Sequence, residues 1–281
     1  MSRYDDLFAS LDERREGAFV PFIMLGDPDP DTNVELITTL IENGADALEL
    51  GVPFSDPVAD GPTIQAADIR AFDAGMDFAA SLDIIRRIRA RYPEIPMGLL
   101  CYGNVAFSLG LDSFYSQIHE AGADSVLIPD IPVRESAPFI AAAKQHQVDP
   151  VFIAPPNVNE ETLERVAAVS KGYIYTVSRL GVTGAESESQ TGGLPEIVKN
   201  IQRFGGAPSL LGFGISTPEH VSDAISAGAA GAITGSAIAA IIEKYCEGEH
   251  PEPRRITDLE ALKKELGEFV SRMKAATAKN F

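Results

Sequence analysis

Residues 47–62 read Ala47-Leu48-Glu49-Leu50-Gly51-Val52-Pro53-Phe54-Ser55-Asp56-Pro57-Val58-Ala59-Asp60-Gly61-Pro62. The first six form an apolar, strand-like run broken by one acid, Glu49. Prolines and a glycine then stiffen a loop that carries Asp56 and Asp60. Pro62 suits a first helical position, and an amphipathic pattern follows over Ile64–Ala74. The stretch is therefore one strand, one loop and one helix. An ionised carboxylate taken out of water must be paired or put to use, so the same residues that define the repeating unit also mark a candidate site.

The unit recurs along the chain. Strand-like runs are expected at Ala18–Leu25, Ala47–Val52, Pro96–Tyr102, Ser125–Asp130, Pro150–Ala154, Tyr173–Ser178, Ser209–Phe213 and Gly231–Thr234. Amphipathic stretches lie between them: Asn33–Glu42, Ile64–Ala74 with Phe78–Arg91, Leu111–Ala121, Glu135–Gln145, Glu160–Val169, Pro195–Phe204 and Thr217–Ala227, with Ile238–Tyr245 after the last strand. Alternating strands and helices imply a parallel sheet covered on both faces, and eight such units close naturally into an α/β (β/α)8 TIM barrel. A doubly wound open sheet is the structural alternative. It would normally carry a glycine-rich nucleotide turn after the first strand, and Leu25-Gly26-Asp27-Pro28 is no such turn.

The phrases Asn43-Gly44-Ala45-Asp46, Ala121-Gly122-Ala123-Asp124 and Ala227-Gly228-Ala229-Ala230 each precede a strand. Glycine there supplies the left-handed stop of a helix, which places these turns at the floor of the barrel. Two helices stand outside the count. An N-terminal helix within residues 1–15 is positioned to plug the floor. After a polar linker, 247–257, Thr257-Asp258-Leu259-Glu260 has the form of a capping box. Leu259, Leu262, Leu266, Phe269, Val270 and Met273 then share one stripe of a C-terminal helix, 258–278. One domain over residues 1–281 is expected.

With 281 residues and 45% hydrophobic content the chain can bury a large core. The net charge of −18 argues against a nucleic-acid partner, because such binding neutralises phosphates with Lys and Arg. Only Cys101 and Cys246 are present, far apart, which suits a reducing cytoplasm rather than a disulfide scaffold. The first fifteen residues lack the apolar core of a signal peptide, and no apolar run is long enough to span a membrane.

In a barrel of this kind the active groups lie at the C-terminal ends of strands and in the loops that follow. His119, His146 and His220 fall in helices and His250 in the linker, so neither a histidine base nor a metal site is expected. No lysine ends a strand, which disfavours a Schiff base. Cys101 is near a strand end, where a core filler is the simpler reading than a nucleophile. Carboxylates are left: Glu49, Asp56, Asp60, Asp27 and Asp130. Glu49 is either a structural ion pair or a rigidly aimed acid whose proton affinity burial can tune, and the functional reading comes first. Asp60 is either functional or a cap for the helix at Pro62. Asp56 reads as a turn-former and Asp130 as a loop brace or a site group. A glycine set stands opposite: Gly181 and Gly184 after the sixth strand, Gly212 and Gly214 after the seventh, Gly235-Ser236 after the eighth. Backbone N–H groups at a helix start attract phosphate, and barrels often seat phosphate after strands seven and eight; close strand packing is the competing explanation. Arg179–Gly193 reads as a lid or as a plain surface loop.

These residues resemble the tryptophan synthase α subunit family. The likeness is carried by Leu48–Pro62 as quoted, by Ser178-Arg179-Leu180-Gly181-Val182-Thr183-Gly184 and by Gly212-Phe213-Gly214-Ile215-Ser216, and it extends from about the first helix to the last. The resemblance implies a (β/α)8 barrel that cleaves indole-3-glycerol phosphate to indole and glyceraldehyde 3-phosphate. It implies an α2β2 assembly with a β subunit that carries pyridoxal phosphate, this chain having no cofactor of its own. It also implies residue roles: Glu49 and Asp60 as the catalytic pair; Gly184, Gly214, Gly235 and Ser236 at the phosphate; Phe22 and Tyr175 lining the pocket; Thr183 ordering the lid over Asp60; and Asp56 touching the partner. The polar linker near Glu247–Arg255 is longer than the family pattern suggests. Rival readings are a stand-alone phosphate-sugar lyase or isomerase, and a non-catalytic regulatory partner.

Overall fold

The computed structural model describes residues 2–177 and 193–279. In chain order it holds α1 (Arg3–Arg14), β1 (Ala18–Met24), α2 (Pro30–Glu42), β2 (Leu48–Gly51), α3 (Pro62–Asp73), α4 (Phe78–Arg91), β3 (Met97–Leu100), α5 (Gly103–Leu109), α6 (Leu111–Ala121) and β4 (Ser125–Leu127). A 3-10 turn at Val133–Glu135 precedes α7 (Ala137–Gln145), β5 (Asp149–Val151), β6 (Ile153–Ala154), α8 (Glu160–Val169), β7 (Ile174–Val177) and α9 (Leu194–Arg203). The chain continues through β8 (Ser209–Gly212), α10 (Pro218–Ser226), β9 (Gly231–Thr234), α11 (Ser236–Lys244), β10 (Cys246–Glu247), β11 (Arg255–Ile256) and α12 (Leu259–Ala275).

All strands of the main sheet run parallel, in the order β5-β4-β3-β2-β1-β9-β8-β7-β6. The two ends of that order, β5 and β6, are separated in the chain by Phe152 alone. They are two halves of the one expected strand, so the sheet closes on itself as the (β/α)8 barrel. Every residue of β1, β2, β7, β8 and β9 is buried, as a sheet covered by helices requires. The fourth strand is shorter than the expected Ser125–Asp130, because Ile128-Pro129-Asp130 turns away and Ile131 N–H returns to the Ile128 carbonyl at 3.2 Å. Pro129 and Pro132 have no N–H to give a ladder.

The three floor turns hold Gly44, Gly122 and Gly228 at φ of +114°, +99° and +94°, conformations that glycine adopts without strain. Two of the three also carry an acid in the same place. Asp46 accepts from Phe19 N–H and Asp124 from Met97 N–H, each at 2.8 Å. Lys274 meets Asp46, and Arg3 and Arg89 meet Asp124. These carboxylates are therefore structural.

Helix α1 plugs the floor. Ser2 and Asp5 form a capping box at its start, and Tyr4 enters the barrel with 1% of its surface exposed. The Tyr4 hydroxyl lies 2.9 Å from Ser125 Oγ, and its ring meets that of Tyr173 at 5.5 Å. At the other end, α12 lies against α2, α10 and α11. Leu262, Leu266, Phe269, Val270 and Met273 are buried, with Leu259 at the margin. Its N-cap is Asp258, whose carboxylate accepts from Ala261 N–H; Thr257 donates instead to the Tyr245 carbonyl at 3.2 Å. The linker 247–257, expected to be plain connection, joins with Cys246 in the antiparallel pair β10–β11, tied to the end of α3 where His250 and Arg254 meet Asp73. Helix α5 was not expected: it is one short turn-rich element of seven residues with no side-chain cap. Among the described residues no helix is long and apolar enough to cross a membrane.

The plug generates a stability prediction. Tyr4→Ala should lower unfolding free energy by about 3–5 kcal/mol, the range for losing a large buried ring, and Tyr4→Phe by about 1 kcal/mol through the lost hydroxyl contact. Urea unfolding measures both; equal stability of all three proteins would remove α1 from the cooperative core.

Candidate active site

The eight strands point their C-terminal ends into one pocket of about 740 Å³, part of it open to solvent. Glu49 reaches it from the middle of β2, in register with Phe22 on β1 and Gly98 on β3. Asp60 reaches it from the loop between β2 and α3. Glu49 is 1% exposed and Asp60 7%, so both acids sit in a low-dielectric setting beside mostly apolar walls.

Each acid is held by a tyrosine. Tyr173, just before β7, donates its hydroxyl to Glu49 Oε1 at 2.9 Å. Tyr102, just after β3, donates to Asp60 Oδ2 at 2.7 Å and accepts from Ala59 N–H at 3.0 Å. The Tyr102 ring stacks on Phe54 at 4.9 Å. Burial raises the Glu49 carboxyl to about 7, the Tyr173 hydrogen bond lowers it, and the nearby Asp60 raises it again. Glu49 is thereby poised to give and take a proton near neutral pH, as general acid–base work requires. The same burial pushes Tyr173 and Tyr175 well above the usual phenol value, so both are neutral hydroxyls at physiological pH.

The floor beneath Glu49 explains why the tyrosine fits. A Cβ at Gly98 would stand 2.7 Å from Ser125 Oγ, 3.1 Å from the Tyr4 hydroxyl and 3.6 Å from the Tyr173 hydroxyl. Glycine at this one strand position leaves room for three hydroxyls below the acid.

The other acids are settled by their partners. Asp27 is buried in a bidentate pair with Arg70, at 2.7 and 2.8 Å. Asp130 accepts from Gly103 N–H at 2.8 Å and braces the loop after β3. Asp56 is exposed and accepts from Ser55 Oγ at 2.5 Å, as a turn-former does. The capping alternative for Asp60 does not hold: the N-cap of α3 is Gly61, with no side-chain cap, and the Asp60 carboxylate engages Tyr102.

The same pocket is lined by Gly214, Ser216, Gly235, Ser236 and Ala237. Gly235 is the N-cap of α11 and Ser236 its first residue. The first N–H groups of a helix have no intrahelical acceptor and carry the positive end of its dipole. Phe213 and Gly214 take φ of +68° and +71°, turning the backbone sharply at the end of β8. Close packing operates here as well. A Cβ at Gly51 would stand 2.6 Å from the Phe22 ring, one at Gly212 2.1 Å from the Tyr175 hydroxyl and one at Gly235 3.1 Å from Phe22. Phe22 and Tyr175, both pocket-lining, thus lie against glycine positions on neighbouring strands.

The structure therefore gathers Glu49, Asp60, Phe22, Tyr175, Gly214, Gly235 and Ser236 around one pocket. Thr183 and Gly184, with the segment 178–192 that contains the lid reading, lie outside the described residues. Tyr102 and Tyr173 were missed from sequence: each sits within a strand-like run, where tyrosine is ordinary, and their partners are 42 and 124 residues away. Among the described residues no group of three or more His, Cys, Asp or Glu is placed to hold a metal ion.

The family described as tryptophan synthase alpha chain matches residues 8–277. The tryptophan synthase alpha chain of Corynebacterium efficiens is 64% identical over 279 residues, covering 99% of this chain and 100% of that one. That of Klebsiella pneumoniae is 52% identical over 277 residues, covering 99% of each. The crystal structure of tryptophan synthase subunit alpha from Legionella pneumophila superposes with a TM-score of 0.84 at 30% identity, covering 99% of this chain and 98% of that one. With a barrel that matches end to end and a family profile spanning nearly all of its length, the chain belongs to the tryptophan synthase alpha chain family.

Proposed function

We infer that the pocket cleaves indole-3-glycerol phosphate to indole and glyceraldehyde 3-phosphate, as the α subunit of a tryptophan synthase and hence as a lyase. The single observation that carries the reading is that two buried, tyrosine-held carboxylates share one pocket with the N-terminus of α11. A substrate with an aromatic ring at one end and a phosphate at the other fits that polarity.

The reaction is a retro-aldol break, and its atoms balance with two acids. In this reading Glu49 in its protonated form delivers a proton to the ring carbon that bears the glycerol chain. Positive charge then develops at the ring nitrogen, where the Asp60 carboxylate accepts a hydrogen bond from the N–H and stabilises it. The ionised Glu49 next takes the proton of the adjacent chain hydroxyl. That oxygen becomes the aldehyde of glyceraldehyde 3-phosphate, and the electrons of the broken carbon–carbon bond return to the ring, leaving neutral indole. The proton affinity of Glu49, near 7, suits both directions of transfer. The N–H groups opening α11, with Gly214, Gly235 and Ser236, are assigned to the phosphate. Uncharged donors suit this protein, because a net charge of −18 repels an anion at long range and leaves recognition to local dipoles. Phe22 and Tyr175 are assigned to the indole face, and Thr183 and Gly184 to closure over Asp60 and the phosphate.

The chain is further assigned to an α2β2 complex, the pyridoxal phosphate belonging to the β subunit and indole passing between the two. Support comes from the mouth of the barrel. Val58 is 76% exposed and Phe107 57%, large apolar side chains in the segments after β2 and β3, beside the exposed Asp56. All 281 residues are read as one domain, with α1 and α12 as its additions.

Three outcomes are expected. Glu49→Gln and Asp60→Asn should each lower indole release from indole-glycerol phosphate by at least about 100-fold, within the range for a general acid–base or electrostatic group; turnover near that of the unsubstituted protein in either variant removes that residue from the mechanism. Glu49→Gln should also be the more stable protein at pH 8. A carboxyl whose proton affinity is raised on folding costs nothing below its unfolded value and progressively more as pH climbs toward the folded one, here from about 4.5 to about 7. The gain on neutralising it is of order 2–3 kcal/mol at pH 8 and small at pH 5, read by denaturant titration at the two pH values; a stability difference independent of pH would contradict the raised affinity. Lastly, Val58→Asp with Phe107→Asp should weaken α2β2 assembly by at least about 10-fold through buried unpaired charge, measured by gel filtration and titration against the β subunit, with slow basal cleavage by the isolated chain as the control.

A further inference from the structure

One buried acid beside the pocket is unused by that chemistry. Asp68, on the second turn of α3, is 3% exposed. Its Oδ1 accepts from the Phe54 N–H at 3.1 Å, and its Oδ2, fully buried, meets no hydrogen-bonding partner among the described residues. No cation among the described residues pairs with it. The neighbouring Arg70 spends its guanidinium on Asp27, with Glu243 of α11 at 3.8 Å. The charges that face Asp68 are acidic: Asp60 in the loop and Asp27 after β1. Farther along α3, Asp73 is already engaged by His250 and Arg254. An ionised carboxylate with one bare oxygen, buried among acids, carries a large desolvation cost; a neutral carboxylic acid carries far less.

The contact that Asp68 makes leads directly to the reaction. Phe54 stacks on Tyr102, and Tyr102 both donates to Asp60 and receives the Ala59 N–H. The backbone of the 53–61 loop is thus held at Phe54 by Asp68, and at Ala59 by the ring system that Phe54 supports. Resting on the retro-aldol reading above, we propose that Asp68 is a positioning residue that works as an uncharged carboxylic acid, holding the Phe54 amide so that Tyr102 aims Asp60 at the substrate.

Burial raises the Asp68 carboxyl to about 8; the Phe54 N–H opposes this, and the charges of Asp60 and Asp27 add to it. The sign follows. Below about 8 the folded chain keeps Asp68 protonated, and above it a new negative charge arises beside Asp60. The positioning should therefore fail on the alkaline side. Glu49, titrating at about 7, contributes its own loss of activity there, and the two are separated by substitution.

The test uses the full chain with its β subunit. Asp68→Ala removes the acceptor for Phe54 and should lower kcat at pH 7 by about 10- to 100-fold, the cost of a misplaced catalytic group, while KM changes less than about threefold. Asp68→Asn restores the acceptor without a titrating proton and should recover most of that loss. Above pH 8 the log kcat/KM of the unsubstituted protein should fall with a slope steepening toward about two, and that of Asp68→Asn should stay near about one. Superposable profiles for these two proteins, or full activity of Asp68→Ala, would overturn the proposal. A ¹³C-carboxyl aspartate resonance that is lost in Asp68→Asn should titrate near 8; a midpoint in the ordinary carboxylate range would also overturn it. Should the unsubstituted complex release no indole, the reaction assignment falls, and the resonance together with hydrogen exchange at Phe54 N–H, faster in Asp68→Ala, still decides whether a neutral Asp68 holds the loop.

Discussion

The burial of Glu49 is the constraint on which the rest of the site depends. A carboxyl in the middle of a parallel strand, inside a barrel, loses nearly all of its hydration. Among the described residues no cation pairs with it. The fold supplies a hydroxyl from Tyr173 at 2.9 Å, and below it a cluster of Tyr4 and Ser125. Full pairing with Arg or Lys would have left a stable carboxylate with little appetite for protons. Partial compensation leaves an acid whose two protonation states are close in free energy. Asp27, equally buried, is instead gripped by both arms of Arg70, though burial still raises its proton affinity.

That arrangement ties the two faces of the barrel together. Tyr4 comes from the plug helix at the floor, and its ring meets that of Tyr173, whose hydroxyl holds the acid at the mouth. Gly98 keeps the Tyr4–Ser125 pair possible, since a Cβ there would crowd both of those hydroxyls. Stability and chemistry thus share residues along the barrel axis, instead of being divided between bottom and top as a simple layer picture suggests.

How much of this could be read in the sequence follows from the range of the interactions. The barrel was legible because each unit is local: an apolar run, a turn residue and an amphipathic helix within a few tens of positions. The left-handed glycines at 44, 122 and 228 were legible for the same reason. Glu49 and Asp60 stood out because an acid in or beside an apolar strand is costly wherever it is. Tyr102 and Tyr173 did not, since a tyrosine in a strand is unremarkable until its hydroxyl is seen to meet an acid from a distant unit. Helix α5 escaped because seven residues with no capping side chain carry little periodicity. The break of the fifth strand at Phe152 is a matter of ladder geometry that residue type does not report. The β10–β11 pair was hidden inside a polar, proline-containing stretch that reads as connection.

Helix α3 is fastened at three heights. Its last turn is clamped to the β10–β11 pair through Asp73, its middle to the turn after β1 through Arg70, and the adjacent Asp68 to the loop at Phe54. Such an element behaves as a rigid strut, and the chain between Val52 and Pro62 is strung between it and the strand wall. Mechanical freedom at the mouth is then confined to the handful of backbone torsions in that bridge. The placing of the Asp60 carboxylate is then set by that bridge and by the Tyr102 hydroxyl it accepts from.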